Sequence, residues 1–416
     1  MNIFQKKLKK CSFFIHNSIK NRTKEKRNSV FIYIGKGYNH DCKQGFRTKK
    51  ILGGSKMKRK VLSVLLSAAL AATLMTGCGQ ATSEPAAEAA PAEEAAPAEE
   101  AAPAEEATEE AAPAEEAAAD ELIVVGYAQV GAESDWRTAN TESFKTEFVE
   151  ANGYKLIFDD AQQKQENQIK AIRSFIQQEV DYIVLAPVVE TGWDTVLQEA
   201  KEAGIPVILS DRMVDVADDS LYECWVGGNF VKEGEDAAGW LSEYLTAQGR
   251  ADEDINIVTL QGTIGASAQV GRTEGFASKM ADTWTMLDMQ TGEFTQSKGQ
   301  EVMESFLKQY DDIDVVVAEN DNMAFGAIDA IKAAGKTCGP EGDIIIISFD
   351  AVKAAFESMI AGDMNVSVEC NPLHGPRVSE IIQTLESGGT VDKVMYVDEG
   401  VFPAETAAET IGSRAY

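Results

Sequence analysis

Glu133, Ser134, Asp135, Trp136 and Arg137 place carboxylates, an indole and a guanidinium side by side. They form a polar loop at the end of an apolar run, residues 124–130, and a helix is predicted to follow. In an open parallel sheet, ligands bind beyond the carboxyl ends of the strands. An indole covers the apolar C–H face of a sugar ring, and Asp and Arg bridge hydroxyls through paired hydrogen bonds. The loop therefore suits a polyhydroxylated ligand, provided that other loops join it.

Chemically similar loops recur at the ends of later apolar runs. Asp159, Asp160, Gln162 and Gln163 come next, followed by Pro187 to Trp193 and by Ser210-Asp211-Arg212. Further on come Gln261 to Ser267 with Arg272 beyond, Glu319-Asn320-Asp321, Ser348-Phe349-Asp350 and Ser367-Val368-Glu369. Any one of them has a plain structural explanation. Asp and Asn cap helices and make turns, Trp often only packs, and Asp135/Arg137 and Asp211/Arg212 could be structural ion pairs. It is their recurrence at strand ends in both halves of the chain that points to one shared site.

Other chemistry finds little support. Residues 261–271 lack the Lys-Ser/Thr of a phosphate loop and the Gly-x-Gly-x-x-Gly spacing, and no Gly-x-Ser-x-Gly nucleophile elbow occurs. Asp350 and Glu369 could be acid and base for glycoside hydrolysis, but sequence does not fix their separation, and binding carboxylates look the same. Past position 77 the only histidine is His374, and Cys224, Cys338 and Cys370 are far apart, so no metal site and no cofactor are expected. Single buried thiols are the simplest reading of the three cysteines, although an exported protein could pair two of them.

The elements that must hold these loops are legible as an alternation. Short apolar runs cover residues 122–128, 155–158, 182–186, 206–210, 224–227, 255–260, 285–289, 315–318 and 344–349. Amphipathic stretches with 3.6-residue spacing lie between many of them, at 167–178, 193–203, 233–247, 298–310 and 323–334. Continuous apolar strands alternating with such helices predict parallel sheets covered on both faces. The series restarts after the long helix near residue 240. The prediction is an α/β protein of two similar lobes with the ligand cleft between them.

The first 121 residues are of another kind. Residues 1–56 carry 15 Lys/Arg against 2 acidic residues, and translation is expected to start instead at Met57. Gly53-Gly54 fit an in-frame reading of a purine-rich ribosome-binding site. Met57-Lys58-Arg59-Lys60, the apolar run 61–75 and Thr76-Gly77-Cys78 resemble a bacterial lipoprotein signal, with Met75 where Leu is usual. Cys78 is then the lipidated first residue, and residues 57–77 are removed. Residues 78–121 are acidic Ala/Glu/Pro repeats whose prolines interrupt helix, an extended tether reaching on the order of 120 Å. From Cys78 onward 65 acidic residues face 20 basic ones, a net charge of −45, which argues against nucleic acid as a partner.

Residues 122–416 resemble the periplasmic-type sugar-binding proteins of the ribose/galactose class, the substrate-binding subunits of ABC importers. The resemblance covers nearly all of this part. It is carried by residues 129–142, by Ala186-Pro187-Val188-Val189 with Thr191-Gly192-Trp193, by Leu260 to Thr263 with Gly265-Ala266-Ser267, by Ser297-Lys298-Gly299 with residues 301–306, and by Glu319-Asn320-Asp321. Residues 162–171 and 133–137 are the more subtype-specific parts and resemble the galactofuranose-binding type. The resemblance implies two Rossmann-like lobes with parallel sheets joined by a three-strand hinge, the type I periplasmic binding fold. The lobes would comprise residues 122–228 plus 370–394 and residues 229–369 plus 395–416.

It further implies that Trp136 stacks on a monosaccharide, galactofuranose-like or a related aldose, while Arg137, Asp211, Arg212, Arg272, Asn320, Asp350 and Glu369 bond its hydroxyls. Asp135 and Trp193 are further candidates. Two departures stand out: Ala351 follows Asp350 where such proteins commonly carry Gly, and Cys370 stands beside Glu369. The implied protein is a non-enzymatic monomer, exported, anchored by lipid on Cys78 to the outer face of the cell membrane, and partnered with permease subunits. A sensor presenting sugar to a membrane kinase is the alternative in the same fold, and an exported glycosidase the alternative from another class.

Overall fold

Strand β1 (Ile123–Gln129) reads IVVGYAQ, and its last five residues are buried. β3 (Tyr182–Leu185), β4 (Val207–Ser210) and β5 (Cys224–Gly227) are buried along their whole length. Strands covered on both faces have no polar side to show, which is why they are continuous apolar runs rather than alternating ones. Each fully buried Val, Leu or Ile contributes about 1.5–3 kcal/mol over leaving it in water. The computed structural model describes residues 122–416. The proposed start at Met57, the signal segment, the lipidated Cys78 and the tether lie outside the described residues.

With β2 (Tyr154–Asp160) and β11 (Val394–Tyr396), these strands make a six-stranded, all-parallel sheet in the order β11-β5-β4-β3-β1-β2. The second sheet takes β6 (Ile255–Gln261), β7 (Trp284–Thr291), β8 (Val315–Ala318), β9 (Ile345–Asp350), β10 (Val366–Glu369) and β12 (Val401–Pro403). Its order is β12-β10-β9-β8-β6-β7, with only β12 antiparallel to its neighbour. The inner order, first strand between second and third, is the same in both sheets, so the two lobes repeat one plan as the alternation predicts. Connections change direction beside β1 and beside β6, and such a reversal opens a crevice at the carboxyl edge.

Helices cover both faces. In the N-terminal lobe these are α1 (Asp135–Glu147), α2 (Gln165–Gln177) and α3 (Asp194–Glu202). The other lobe has α4 (Phe230–Ala247), α5 (Ser267–Lys279), α6 (Gln296–Gln309), α7 (Asp321–Ala333) and α8 (Lys353–Ile360). α9 (Gly375–Glu386) returns to pack on α1, and α10 (Ala404–Thr410) packs on α8. Packing is close: a Cβ on Gly126, in mid-β1, would lie 2.6 Å from the Phe175 ring of α2.

The chain crosses between lobes three times, at residues 228–229, 370–374 and 397–400. Because β11 pairs with β5, the N-terminal lobe runs to Tyr396 rather than stopping at 394. Cys224, Cys338 and Cys370 are free and buried. Among the described residues, no helix is long and apolar enough to cross a membrane.

Candidate functional site

Ser134 caps α1, its hydroxyl accepting from the Arg137 N–H at 3.1 Å. That cap fixes Trp136 and Arg137 in the first helical turn, beside the end of β1. Arg137 Nε donates to Glu133 at 3.0 Å and its NH2 to Asp211 at 2.7 Å. Asp211 follows β4 in a left-handed conformation, φ 66°, and its backbone is held by Val226 O and the Trp225 indole. Arg212 donates to Val188 O at 3.0 Å and lies 5.0 Å over the Phe294 ring.

The other lobe answers with its own guanidinium. Arg272, on α5, donates to Glu233 at 2.7 Å and to Asp350 at 3.3 Å, and also to Glu319 O. The Phe349 and Phe230 rings flank it at 5.0 and 5.6 Å. Asn320 caps α7 through Met323 N at 3.0 Å, and its amide donates to Phe294 O at 3.1 Å. One amide N–H and one carbonyl lone pair remain to it.

One cavity between the lobes carries three guanidiniums (Arg137, Arg212, Arg272) and three carboxyls (Glu133, Asp211, Asp350) on its wall. Trp136 and Phe294 supply aromatic surface. Trp136 is fixed by its indole N–H, which donates to Cys370 O at 2.6 Å, and by the Arg137 guanidinium 4.6 Å over its ring. Two buried atoms on the wall, Arg137 NH1 and Glu133 Oε2, have no hydrogen-bond partner in the protein. An unpaired buried donor and acceptor cost free energy that a bound polar molecule recovers. Across the mouth, Asp135 N donates to Asn322 Oδ1 at 3.0 Å, Glu190 N to Gly265 O at 2.9 Å and Met213 N to Ser267 Oγ at 2.9 Å. The lobes are closed on the cavity.

Burial and charge set the protonation states. Burial alone would raise the Asp211 carboxyl, but Arg137 and Arg212 outweigh it and hold the group below its ordinary value. Burial raises the Asp350 carboxyl well above the usual range, and Arg272 opposes this without cancelling it. Burial drives His374, behind the Trp136 ring, down to about 4, so its imidazole is neutral at neutral pH.

Of the residues expected at the site, Trp136, Arg137, Asp211, Arg212, Arg272, Asn320 and Asp350 come together on this wall. Three others do not. Trp193 is fully buried in the hydrophobic core, its indole N–H donating to Val189 O at 2.7 Å. Glu369 is held by Arg414 at 2.9 Å, by the Tyr416 hydroxyl at 2.8 Å and by Gly400 N at 3.0 Å. That removes one member of the Asp350/Glu369 pair from the cavity. Asp135 sits exposed at the rim, where it meets Asn322. Glu133, Ser134, Ala268, Phe294 and Cys370 line the cavity without having been singled out as ligand contacts. Phe294 leaves no trace in composition. Its loop follows β7 with Glu293 and Phe294 both at positive φ, a conformation that nothing in a Gly-Glu-Phe sequence announces.

Residues 125–374 match the family model described as a periplasmic binding protein domain. The chain belongs to that family. Over 298 residues this binding protein is 43% identical to the galactofuranose-binding protein YtfQ of Escherichia coli (strain K12), covering 70% of this chain and 91% of that one. A solved structure from Mycobacterium smegmatis, in complex with β-D-fucofuranose, is similar with 45% identity and a TM-score of 0.67, over 70% of this chain and 94% of that one. The binding component of the arabinose ABC transporter of Shewanella sp. ANA-3, bound to α- and β-L-arabinofuranose, is similar with 44% identity and a TM-score of 0.66, over 70% and 95%. The two-lobed architecture is that of the type I periplasmic binding proteins.

Proposed function

We propose that this chain is the substrate-binding subunit of a sugar ABC importer, closing on one monosaccharide and delivering it to the permease. The observation that carries the reading is the mixed wall of the cavity. Guanidiniums and carboxyls alternate beside an indole, with Arg137 NH1 and Glu133 Oε2 left without partners. A sugar answers this pattern, since each hydroxyl both donates and accepts while the ring C–H face covers the indole. Trp136 is assigned the stacking role, and Arg137, Asp211, Arg212, Arg272, Asn320 and Asp350 the hydrogen-bonding roles.

The relatives named above carry or bind furanoses, which supports an aldose in furanose form, galactofuranose or a related sugar, as the ligand. Closure follows because only the closed form brings both lobes' polar groups onto one ligand, and a ligand shifts an equilibrium by its differential affinity for the two states. Cys78 and the acidic tether support export and lipid anchoring at the outer face of the membrane. The binding role is that of a receptor, not an enzyme.

A thermal-shift panel tests the reading, with galactofuranose, arabinose, ribose, fructose and fucose each added in excess. Sugar at a hundredfold its dissociation constant adds about 2.7 kcal/mol to folding stability, which raises the melting temperature by several degrees. No shift with any monosaccharide would overturn the reading. Turnover of a chromogenic furanoside would replace it with a hydrolase.

A further inference from the structure

Behind Arg272 the three crossings between the lobes meet at a cluster of which only Cys370 also lines the cavity. Glu233 lies on α4 just past the first crossing, Cys370 on the second and Glu399 on the third. Their carboxyl oxygens and thiol sulfur lie within 4.8 Å of one another. Glu399 accepts from Asn371 N at 3.2 Å, on the second crossing, and lies against Gly228 of the first. Gly228 makes room: a Cβ there would stand 2.5 Å from Glu399 Oε1 and 2.6 Å from Glu233 Oε1. Glu233 has one oxygen on Arg272 at 2.7 Å, while the other, Oε1, is buried with no donor in the protein. The side chain facing it is the Glu399 carboxyl, whose oxygen lies within 4.8 Å of it across the space left by Gly228. Two buried carboxylates this close repel each other, whereas a carboxylic acid facing a carboxylate can donate to it.

We propose that Glu399 is a positioning residue of this binding protein, acting through Glu233. One proton shared between the two carboxyls ties the three crossings together in the closed form and keeps Glu233 aligned on Arg272, so closure on a ligand takes up a proton. The proposal rests on the sugar reading of the cleft for its link to affinity. When the lobes part, the crossings rotate, the pair separates into water and the proton is released.

The charged surroundings agree. Burial, then the charge of Glu233, raise Glu399 to about 9, and Glu233 is raised by burial against the pull of Arg272. The other groups facing the pair are Asp211, Asp350 and the Cys370 thiol, itself pushed well up by burial. Like charges this close cannot both ionise cheaply.

Two measurements test this. The first needs no sugar. A folded chain that keeps a proton up to about pH 9, where the unfolded chain releases it at the ordinary carboxyl value, loses stability as pH rises between the two. The melting temperature of the wild-type protein is expected to fall from pH 6 to pH 9, and Glu399→Gln, neutral throughout, to flatten that fall and melt higher at pH 9. An equal slope in both proteins, or a lower melting point for Glu399→Gln at pH 9, would overturn the pair.

The second uses only wild-type protein, with the monosaccharide that gave the largest thermal shift. Titration calorimetry at pH 7.5 in two buffers of different ionisation heat is expected to report uptake of roughly half a proton or more per sugar bound, and affinity to weaken by up to about tenfold per pH unit. Zero uptake would overturn the coupling to closure. Loss of every sugar response would overturn the sugar reading alone, because the melting comparison stands without it.

Discussion

Asp211→Asn tests the site's charge balance without changing its shape. On the N-terminal wall two carboxylates, Glu133 and Asp211, face two guanidiniums, Arg137 and Arg212, at 2.7 to 3.8 Å, and all four side chains are at most 4% exposed. The substitution leaves this group with one uncompensated positive charge. Breaking a buried pair costs about 3–5 kcal/mol, and the lower end applies because an Asn carbonyl still accepts from Arg137. About 3 kcal/mol corresponds to a fall of roughly 6 °C or more in melting temperature for a chain of this size. A charge-assisted hydrogen bond to the ligand is worth about 1.5–3 kcal/mol, so sugar affinity falls by roughly 10- to 150-fold.

The assay is differential scanning calorimetry with and without sugar, paired with titration calorimetry. The pH dependence follows from the depressed Asp211 carboxyl: its stabilisation is full above the ordinary carboxyl value and is lost as pH falls through the lower folded value. A shift below about 1 °C together with affinity within twofold of wild type would refute both the balance and the ligand contact.

The two tryptophans separate by function. Trp136→Ala abolishes most sugar binding in titration calorimetry while the protein stays folded by circular dichroism, and retained affinity would make Trp136 mere packing. Trp193→Phe costs stability, about 1–2 kcal/mol by denaturant titration for a lost core volume and hydrogen bond, with affinity nearly unchanged. Ala351 holds φ 55° with its methyl fully buried. Ala351→Val therefore costs about 2 kcal/mol or more, whereas Ala351→Gly stays within about 1 kcal/mol, since relief of the left-handed strain offsets the lost methyl. His374 takes up its proton at about 4 in the folded chain and near 6.5 in the unfolded one. Folding thus weakens by about 3 kcal/mol as pH falls through that window, and His374→Asn removes this acid sensitivity in melting scans.

Nine of the twelve strands were legible as apolar runs, seven of them because burial on both faces writes itself that way; β2 and β7 are part-buried edge strands that kept enough apolar residues to be seen. The three unrecognised ones, β10, β11 and β12, have only three or four residues each, too few for a run to stand out. α5 was hidden by Gly271 and Gly275, which lower helix propensity. They are there because α4 approaches so closely that a Cβ on Gly275 would stand 2.0 Å from Val231 O.

The site was legible where Asp, Asn, Arg or Trp ends a strand or opens a helix. The same rule misplaced Trp193, which precedes its helix much as Trp136 opens α1 but turns into the core. It also misplaced Glu369, which ends a strand as Asp350 does. What sets Glu369 apart is Arg414 and Tyr416, 45 and 47 residues later, and no local pattern reports a contact at that distance.

The N-terminal lobe takes α9 and β11 from the far end of the chain. Until residues 394–396 arrive, β5 presents an open edge, and until α9 arrives, α1 lacks its cover. Neither lobe can therefore be completed during synthesis before nearly the whole polypeptide exists. Contacts this distant in sequence form slowly, so the nascent chain remains unfinished throughout its making.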